Sequence, residues 1–151
     1  MSWTYGSVID RAEADQADAL DCSGFTRMVF GYRMGLPVTL DSDGVRLPRR
    51  SVQMLASAPG VVTVPDAGVP PTSTQLSSLA AGDLVFFDNS TDDGTAVDHV
   101  GIYLGVDSAG QPRFISSRKT ADGPTMGDLG GRSVLTGTGY YATGWRAARR
   151  I

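Results

Sequence analysis

The clearest pattern of apolar and polar positions lies directly after Cys22, the only cysteine of the chain. Four apolar residues recur there at the spacing i, i+3, i+4 and i+7: Phe25, Met28, Val29 and Tyr32. This spacing predicts an amphipathic helix that begins near the cysteine and buries that face. Asp21 or Ser23 is suited to cap its N-terminus, and the run Gly35-Leu36-Pro37 predicts its end.

Shorter patterns predict the remaining elements. Residues 50–58 are predicted to form a short helix with Val52 and Leu55 facing inward. Apolar, alternating or β-branched runs predict strands over residues 61–64, 82–87 (a turn and then a strand), 100–106, 113–116 and 140–146. The polar stretches 66–78 and 88–96 are predicted to be surface loops. A helix followed by an antiparallel sheet makes an α+β architecture.

Composition is that of an ordinary soluble globular protein. A length of 151 residues predicts a single domain, 1–151, and 19 glycines with 8 prolines favour short strands over a helical bundle. The net charge of −3 gives no basic footprint for nucleic acid or anionic lipid. No apolar run approaches the roughly 18 residues of a membrane span, and no signal peptide is visible.

The candidate chemistry lies in a lone cysteine and a lone histidine. Cys22 alone could be a small buried apolar residue, but the only histidine, His99, stands at the head of an alternating strand. The two make a candidate thiolate–imidazole pair. Because a thiol in the first turn of a helix feels the positive end of the helix dipole, we predict an unusually acidic thiol. The acids of residues 88–96 lack the spacing of a calcium loop, and we predict neither a metal nor a cofactor.

Four blocks of sequence, taken in order, resemble the NlpC/P60 family of bacterial cell-wall cysteine peptidases. They are LDCSGF (20–25), LPRRSVQ (47–53), LAAGDLVFF (79–87) and HVGIYLG (99–105). The resemblance covers about residues 3–118. It implies a papain-like core in which the nucleophile helix packs on an antiparallel β-sheet and Cys22 meets His99 across the helix–sheet interface.

The resemblance also implies an activity. Cys22 would attack a peptide carbonyl of a peptidoglycan stem peptide, and His99 would move the protons. The family's usual scissile bond joins the γ-carboxyl of D-glutamate to the diamino acid. We accordingly expect a monomer, secreted or associated with the cell wall and not inserted in a membrane. Since the chain starts almost at the first block, we also expect it to be a domain of a longer secreted precursor.

Substrate-binding residues are likewise implied by the resemblance. Trp3 stands where the family has an oxyanion-holding tyrosine, with Tyr5 two residues on, although both rings could simply pack the N-terminus. Asp21 and Ser23 would hold the free amine and backbone of the stem peptide, or could be helix caps only. Arg118 would pair with a substrate carboxylate, or could be a solvated charge.

The third catalytic position departs from the family pattern. Relatives carry His, Asn or Gln on the strand after the histidine strand, where it orients the imidazole. In this chain the position falls on Ser116, which we predict to be the orienting residue, with a backbone carbonyl or water as the competing orienter. Gln111 would suit chemically but lies in the preceding connection, and Asp98 should point to the opposite face.

Two other functions remain open from the sequence. One is a different acyl-transfer enzyme on a papain-like core. A CHAP-type amidase shares the order of cysteine before histidine, whereas lipid acyltransferases have the reverse order and are disfavoured. The other is a catalytically impaired wall-binding domain, which the missing third polar residue leaves open.

Overall fold

The computed structural model describes residues 20–90, 92, 94–118, 125–126 and 132–151. These residues contain, in order, α1 (Cys22–Arg27), a π-helix (Met28–Arg33), α2 (Ser51–Ser57), β1 (Val61–Val64), α3 (Ser73–Ser77), β2 (Leu84–Phe87), β3 (His99–Val106), β4 (Pro112–Ile115), α4 (Tyr140–Gly144) and β5 (Trp145–Arg150). The α+β class predicted from the sequence is confirmed. Within the described residues, no helix combines the length and apolar character needed to cross a bilayer.

The strands form one antiparallel sheet in the order β1-β5-β2-β3-β4. Its central strand, β2, is buried along its whole length because both faces of the sheet are covered. Leu84 and Phe86 point into one apolar cluster, whereas Val85 and Phe87 point into another. This alternation is what the two-residue period of a strand requires.

The two apolar clusters place the candidate residues on opposite faces of the sheet. The first cluster joins the sheet to α1, the π-helix and α2, and it contains Cys22 and Val100. The second contains Phe87 and Tyr141, whose rings contact His99 at centroid distances of 5.7 and 5.2 Å. Cys22 therefore packs on one face of the sheet, while the ring of His99, the first residue of β3, packs on the other.

The helix after Cys22 starts where the sequence predicts, but its buried face differs. Tyr32, predicted to be buried, is 39% exposed, whereas Phe30 is buried. The second half of this helix is a π-helix, in which hydrogen bonds run over five residues, as in the bond from Met34 N to Val29 O. The buried residues Ser23, Arg27 and Phe30 follow the spacing i, i+4 and i+7, so the helix buries a face that is rotated from the predicted one.

Two further predictions about helices are wrong in part. In α2 the inward residue is Met54, which is fully buried, whereas Val52 is 44% exposed. Residues 66–78, predicted to be a loop, contain α3, which Thr72 and Gln75 cap reciprocally. Thr72 and Gln75 carry the capping-box spacing, so this helix start was detectable in the sequence.

The last predicted strand, 140–146, is correct only in its final residues. Residues Tyr140–Gly144 form α4, and β5 begins at Trp145. Gly144 lies so close to Asn89 that a Cβ would be 1.9 Å from its Nδ2, and Asn89 Nδ2 donates to Tyr140 O at 2.7 Å. These contacts join α4 to the end of β2, which brings Tyr141 beside His99.

Candidate active site

Cys22 is the first residue of α1 and is 7% exposed. The helix begins here because Asp21 is extended (φ −83°, ψ −178°) and its Oδ1 accepts a hydrogen bond of 2.7 Å from Gly24 N. That is the geometry of an N-cap. The predicted helix start is confirmed, and the sulfur lies in the first helical turn.

The predicted substrate-binding residues Asp21 and Ser23 are held by Arg49. Its Nη1 and Nη2 donate to Asp21 Oδ1 and Oδ2 at 3.0 and 2.9 Å, and Nη1 also donates to Ser23 Oγ at 2.7 Å. All three residues are buried. Such a forked pairing fixes the carboxylate in position. The cap alternative for Asp21 therefore has direct structural support, while contact of either residue with substrate stays a prediction.

Arg49 is a contributor to the site that sequence reasoning did not single out. It lies in the block 47–53 that carries the family resemblance, but no role was assigned to it. The sequence signal for burial was the apolar pair Leu47-Pro48 directly before Arg49. A buried guanidinium needs a carboxylate or several acceptors. The partner, Asp21, is 28 residues away, and its identity could not be read from local pattern.

His99 begins β3 and pairs with Phe87 of β2. Its ring contacts the rings of Phe87 and Tyr141, which also contact each other, and its Nε2 is 2.9 Å from Ser116 Oγ. Ser116 follows β4 directly and is fully buried. The predicted contact between His99 and Ser116 is therefore present, and the catalytic role of both residues stays a prediction.

The competing orienters are placed elsewhere. Gln111 Oε1 accepts a hydrogen bond from Arg132 Nη2 at 3.2 Å, in the connection between β3 and β4. Asp98 Oδ2 accepts from the backbone N–H of Asn89, at 3.0 Å, and from that of Ser90. Asp98 thus points into the loop after β2, as the alternation along the strand predicts.

Arg118 is 3% exposed, so the alternative of a solvated charge is wrong. Its Nη2 donates to Ser116 Oγ at 3.0 Å and to Ser133 Oγ at 2.7 Å. The guanidinium carbon lies 4.5 Å from the centre of the Tyr141 ring. This interior position gives no support to the prediction that Arg118 meets a substrate carboxylate. The only sequence signal for this position is the spacing of two residues between Ser116 and Arg118, which places both side chains on the same face of an extended chain.

The Cys22 thiol is less acidic than predicted. Burial raises its pKa from 9.0 to about 12, and the charge of Asp21 adds to the effect. The backbone N–H groups of Val100 and Ser23 and the charge of Arg49 act in the opposite direction but do not compensate. The prediction of an acidic thiol is therefore wrong for the protein at rest, because desolvation outweighs the helix dipole.

His99 shifts in the complementary direction. Burial, and then the charge of Arg118, lower its pKa from 6.5 to about 3. Among the hydrogen bonds of the described residues there is none between Cys22 and His99, although Val100, which contacts the sulfur, is the next residue after His99. In the resting protein the thiol and the imidazole are therefore both neutral. The thiolate–imidazolium pair predicted from the sequence is not its ground state.

The remaining predictions concern support of the oxyanion and the question of a metal ion. Trp3 and Tyr5, predicted to support the oxyanion, lie outside the described residues. Within the described residues, no group of three or more His, Cys, Asp or Glu side chains could hold a metal ion.

Comparison with known proteins finds one matching family and solved structures of similar fold. The family model described as NlpC/P60 family matches residues 3–134. Among solved structures, a protein of Staphylococcus aureus subsp. aureus Mu50, described as similar to lipoprotein, NLP/P60 family, has 22% sequence identity and a TM-score of 0.57. The match covers 100% of this chain and 36% of that chain, so this chain spans about a third of its length. None of the curated proteins matches the chain.

Proposed function

The chain belongs to the NlpC/P60 family, and on that premise we propose that it is a cysteine peptidase that hydrolyses peptidoglycan stem peptides. The family supports a papain-like cell-wall peptidase as the kind of function. One observation carries the proposal to this chain, namely the junction at the head of β3. There Val100 N–H meets the sulfur of Cys22, and the neighbouring His99 is held by Ser116.

In the first step, the thiol loses its proton as it attacks. Because the Cys22 thiol and the His99 imidazole are both neutral at rest, the proton passes from sulfur to His99 while sulfur bonds to the substrate carbonyl carbon. The carbonyl π electrons move to oxygen, and they return to re-form the carbonyl when the amine leaves. Nε2 of His99 faces Ser116, so Nδ1 is the nitrogen that receives the proton. The N–H groups of Val100 and Ser23, which favour the thiolate, stabilise the charge that develops on sulfur.

In the second step, the carbon–nitrogen bond breaks and the His99 imidazolium gives its proton to the leaving amine. Water then loses a proton to His99 as it attacks the acyl-enzyme, and the carbon–sulfur bond breaks to regenerate the Cys22 thiol. An imidazolium with a lowered pKa is a stronger acid than an ordinary imidazolium. The site therefore favours protonation of the leaving amine and is less favourable to the initial proton abstraction.

The substrate proposal is finer than the reaction class. By the family's pattern, the scissile bond joins the γ-carboxyl of D-glutamate to the diamino acid, in a stem peptide with a free N-terminal amine. Asp21 would face that amine, although its two oxygens are already paired with Arg49. If Asp21 contributes directly, acetylation of the amine should slow cleavage strongly. Equal rates on free and acetylated peptides would leave Asp21 as a helix cap only.

The proposed setting is the bacterial cell envelope. The Staphylococcus aureus protein of the same fold is described as similar to a lipoprotein, which is a description of that protein and supports the setting only by analogy. We further propose a monomer, secreted or associated with the wall, that meets its substrate without entering the membrane.

A second candidate function, a catalytically impaired wall-binding domain, has one observation in its favour. The raised pKa of Cys22 and the lowered pKa of His99 both oppose formation of the ion pair that many thiol enzymes use. Such a domain would bind stem peptides without cleaving them. A CHAP-type amidase remains a third alternative and would release the whole stem peptide from the glycan.

Digestion of purified muropeptides, with mass spectrometry of the products, tests these proposals together. We expect cleavage inside the stem peptide after D-glutamate, with no product from Cys22→Ala. Release of intact stem peptides would identify an amidase instead. If a column of immobilised muropeptides retained both the wild type and Cys22→Ala, and neither protein gave a product, the chain would be an impaired binding domain.

A further inference from the structure

The hydroxyl that contacts His99 is itself held by an arginine. Ser116 Oγ lies 2.9 Å from His99 Nε2 on one side and accepts a hydrogen bond of 3.0 Å from Arg118 Nη2 on the other. A hydroxyl has one proton and two lone pairs, and an arginine can only donate. One lone pair of Ser116 is therefore taken by Arg118, which leaves the other lone pair and the proton for the imidazole.

Arg118 is suited to fix Ser116 because it is itself fixed. Its Nη2 also donates to Ser133 Oγ at 2.7 Å, and the guanidinium lies 4.5 Å from the Tyr141 ring centre and 5.4 Å from that of Phe114. A serine side chain is short and uncharged, so it orients a neighbouring ring less firmly than an amide or imidazole would. A rigid donor behind the hydroxyl removes its rotational freedom.

We propose that Arg118 is a positioning residue for His99, acting through Ser116 rather than on the substrate. In this arrangement the pair of serine and arginine replaces the single His, Asn or Gln of the family. The consequence for turnover rests on the proposed peptidase function. The effect on the imidazole itself does not, and it can be measured in a protein that cleaves nothing.

The charge of Arg118 has a second effect on His99. A cation two hydrogen bonds away disfavours a second cation on the imidazole. The ring also contacts Tyr141 from α4, whose pKa is raised mainly by burial. The titratable groups that act on Tyr141 include Cys22 from α1, which is neutral at rest, and Asp98, whose carboxylate accepts from two backbone N–H groups of the loop after β2. Arg118 therefore helps to keep His99 neutral, and able to accept a proton, in acidic solution.

The chain has a single histidine, so the ring nitrogens of protein labelled with 15N-histidine give one set of NMR signals that report protonation and hydrogen bonding directly. We would titrate the wild type, Arg118→Met, Arg118→Lys and Ser116→Ala. Arg149→Lys is the matched control, because Arg149 is also buried but donates to carbonyls such as those of Leu55 and Pro59, at the end of α2.

Arg118→Met should raise the midpoint of the His99 titration by about one pH unit, since one of its two causes is removed. Arg118→Lys keeps the charge and should leave the midpoint low, while it shifts the Nε2 signal. Ser116→Ala should also shift the Nε2 signal, and Arg149→Lys should leave the ring signals as in the wild type. In an active protein, Arg118→Met should lower kcat by about tenfold, a part of what acid–base catalysis contributes, with KM nearly unchanged.

An unchanged His99 spectrum in Arg118→Met, together with a raised KM and a normal kcat, would return Arg118 to the role of a substrate-carboxylate ligand and overturn the proposal. If Arg118→Met does not fold, the Nε2 signals of Ser116→Ala and Arg118→Lys test the proposal instead. Nε2 signals identical to the wild type in both would equally overturn it. Failure of the wild type to cleave muropeptides would reject the proposed function but leave this test intact.

Discussion

Two buried arginines flank the reactive pair, and they differ in what they contact. Arg49, beside Cys22, meets both carboxylate oxygens of Asp21, so its positive charge is matched by a negative one. Arg118, beside His99, donates to the hydroxyls of Ser116 and Ser133 and lies on an aromatic ring. These contacts of Arg118 join its Nη2 to uncharged oxygen atoms.

The difference has electrostatic consequences. Arg49 acts on the Cys22 thiol only as the last of several contributions, behind burial and the opposing charge of Asp21. Arg118 is the charge that, after burial, lowers the pKa of His99. Arg49 is therefore a structural brace for Asp21, whereas Arg118 exerts an electrostatic influence on His99.

The largest expected effect tests whether the chemistry lies between these arginines at all. Cys22→Ala should abolish hydrolysis, because no other thiol exists in the chain. His99→Ala should lower kcat by about a hundredfold to ten-thousandfold, the usual contribution of general acid–base catalysis. Initial rates on a purified stem peptide measure both, with circular dichroism to show that the fold survives. Substantial activity in either variant would place the nucleophile or the proton transfer elsewhere.

The second prediction concerns the neutral state of the thiol. Since burial raises the pKa of Cys22 to about 12, thiolate should be nearly absent at neutral pH. Alkylation by iodoacetamide should therefore be slower than that of a small free thiol by about a hundredfold or more, with no inflection near the ordinary value. The urea-unfolded chain is the internal control. An inflection well below pH 8 would instead show that the folded site does hold a thiolate.

The third prediction tests whether the pairing of Arg49 with Asp21 stabilises the fold. Asp21→Asn leaves the buried Arg49 guanidinium without its counter-charge, which should lower the free energy of unfolding by about 3–5 kcal/mol. Urea denaturation measures the change. The double variant Asp21→Asn/Arg49→Met should lose less than the two single variants combined, because it leaves no unpaired charge. Additive losses would mean that the two side chains do not stabilise each other.

The fourth prediction follows from the sign of the His99 shift. Its folded pKa, about 3, lies below the ordinary value of 6.5. Between these values the unfolded chain binds a proton that the folded protein does not. The free energy of unfolding should therefore fall as the pH drops from 6.5 toward 3, by at most about 1.4 kcal/mol per pH unit. Above pH 6.5 the imidazole is neutral in both states, so His99 should cause no change of stability with pH there.

His99→Gln cannot titrate and should show a flatter dependence in urea denaturation over the same acidic range. The carboxylates contribute equally in both proteins, so the difference between the two curves isolates His99. Identical slopes in the wild type and in His99→Gln would contradict the lowered pKa.

Much of the sheet could be predicted from the sequence, because its strands are local patterns. Residues Val61–Val64 are β-branched or apolar throughout, and Leu84–Phe87 is an apolar run after a glycine turn. The contact of His99 with Ser116 was also predictable, since a short hairpin sets the register of the two strands. These features depend on neighbours in sequence.

The features that could not be predicted depend on distant residues. The first helix buries Phe30 rather than Tyr32, in a region where Arg27 donates to Leu47 O, 20 residues further along the chain. The environment of Arg118 depends on Ser133, 15 residues further on. The pKa of Cys22 depends on how deeply the whole fold buries it. Periodicity carries no information about any of these, so the acidic thiol was predicted and a buried neutral one was found.

The smallest expected effect compares one serine from each arginine. Ser23 and Ser133 are both buried and each accepts a 2.7 Å hydrogen bond from its arginine, so replacement by alanine should lower the free energy of unfolding by about 1–3 kcal/mol in each case. The variants should nevertheless differ at His99. Ser133→Ala loosens Arg118 and should shift the 15N signals of the imidazole slightly, with a small loss in kcat. Ser23→Ala leaves Arg49 paired with Asp21 and should leave those signals as they are. Equal shifts in both variants would mean that the two arginines influence the histidine in the same way, and that the contrast between brace and electrostatic influence is wrong.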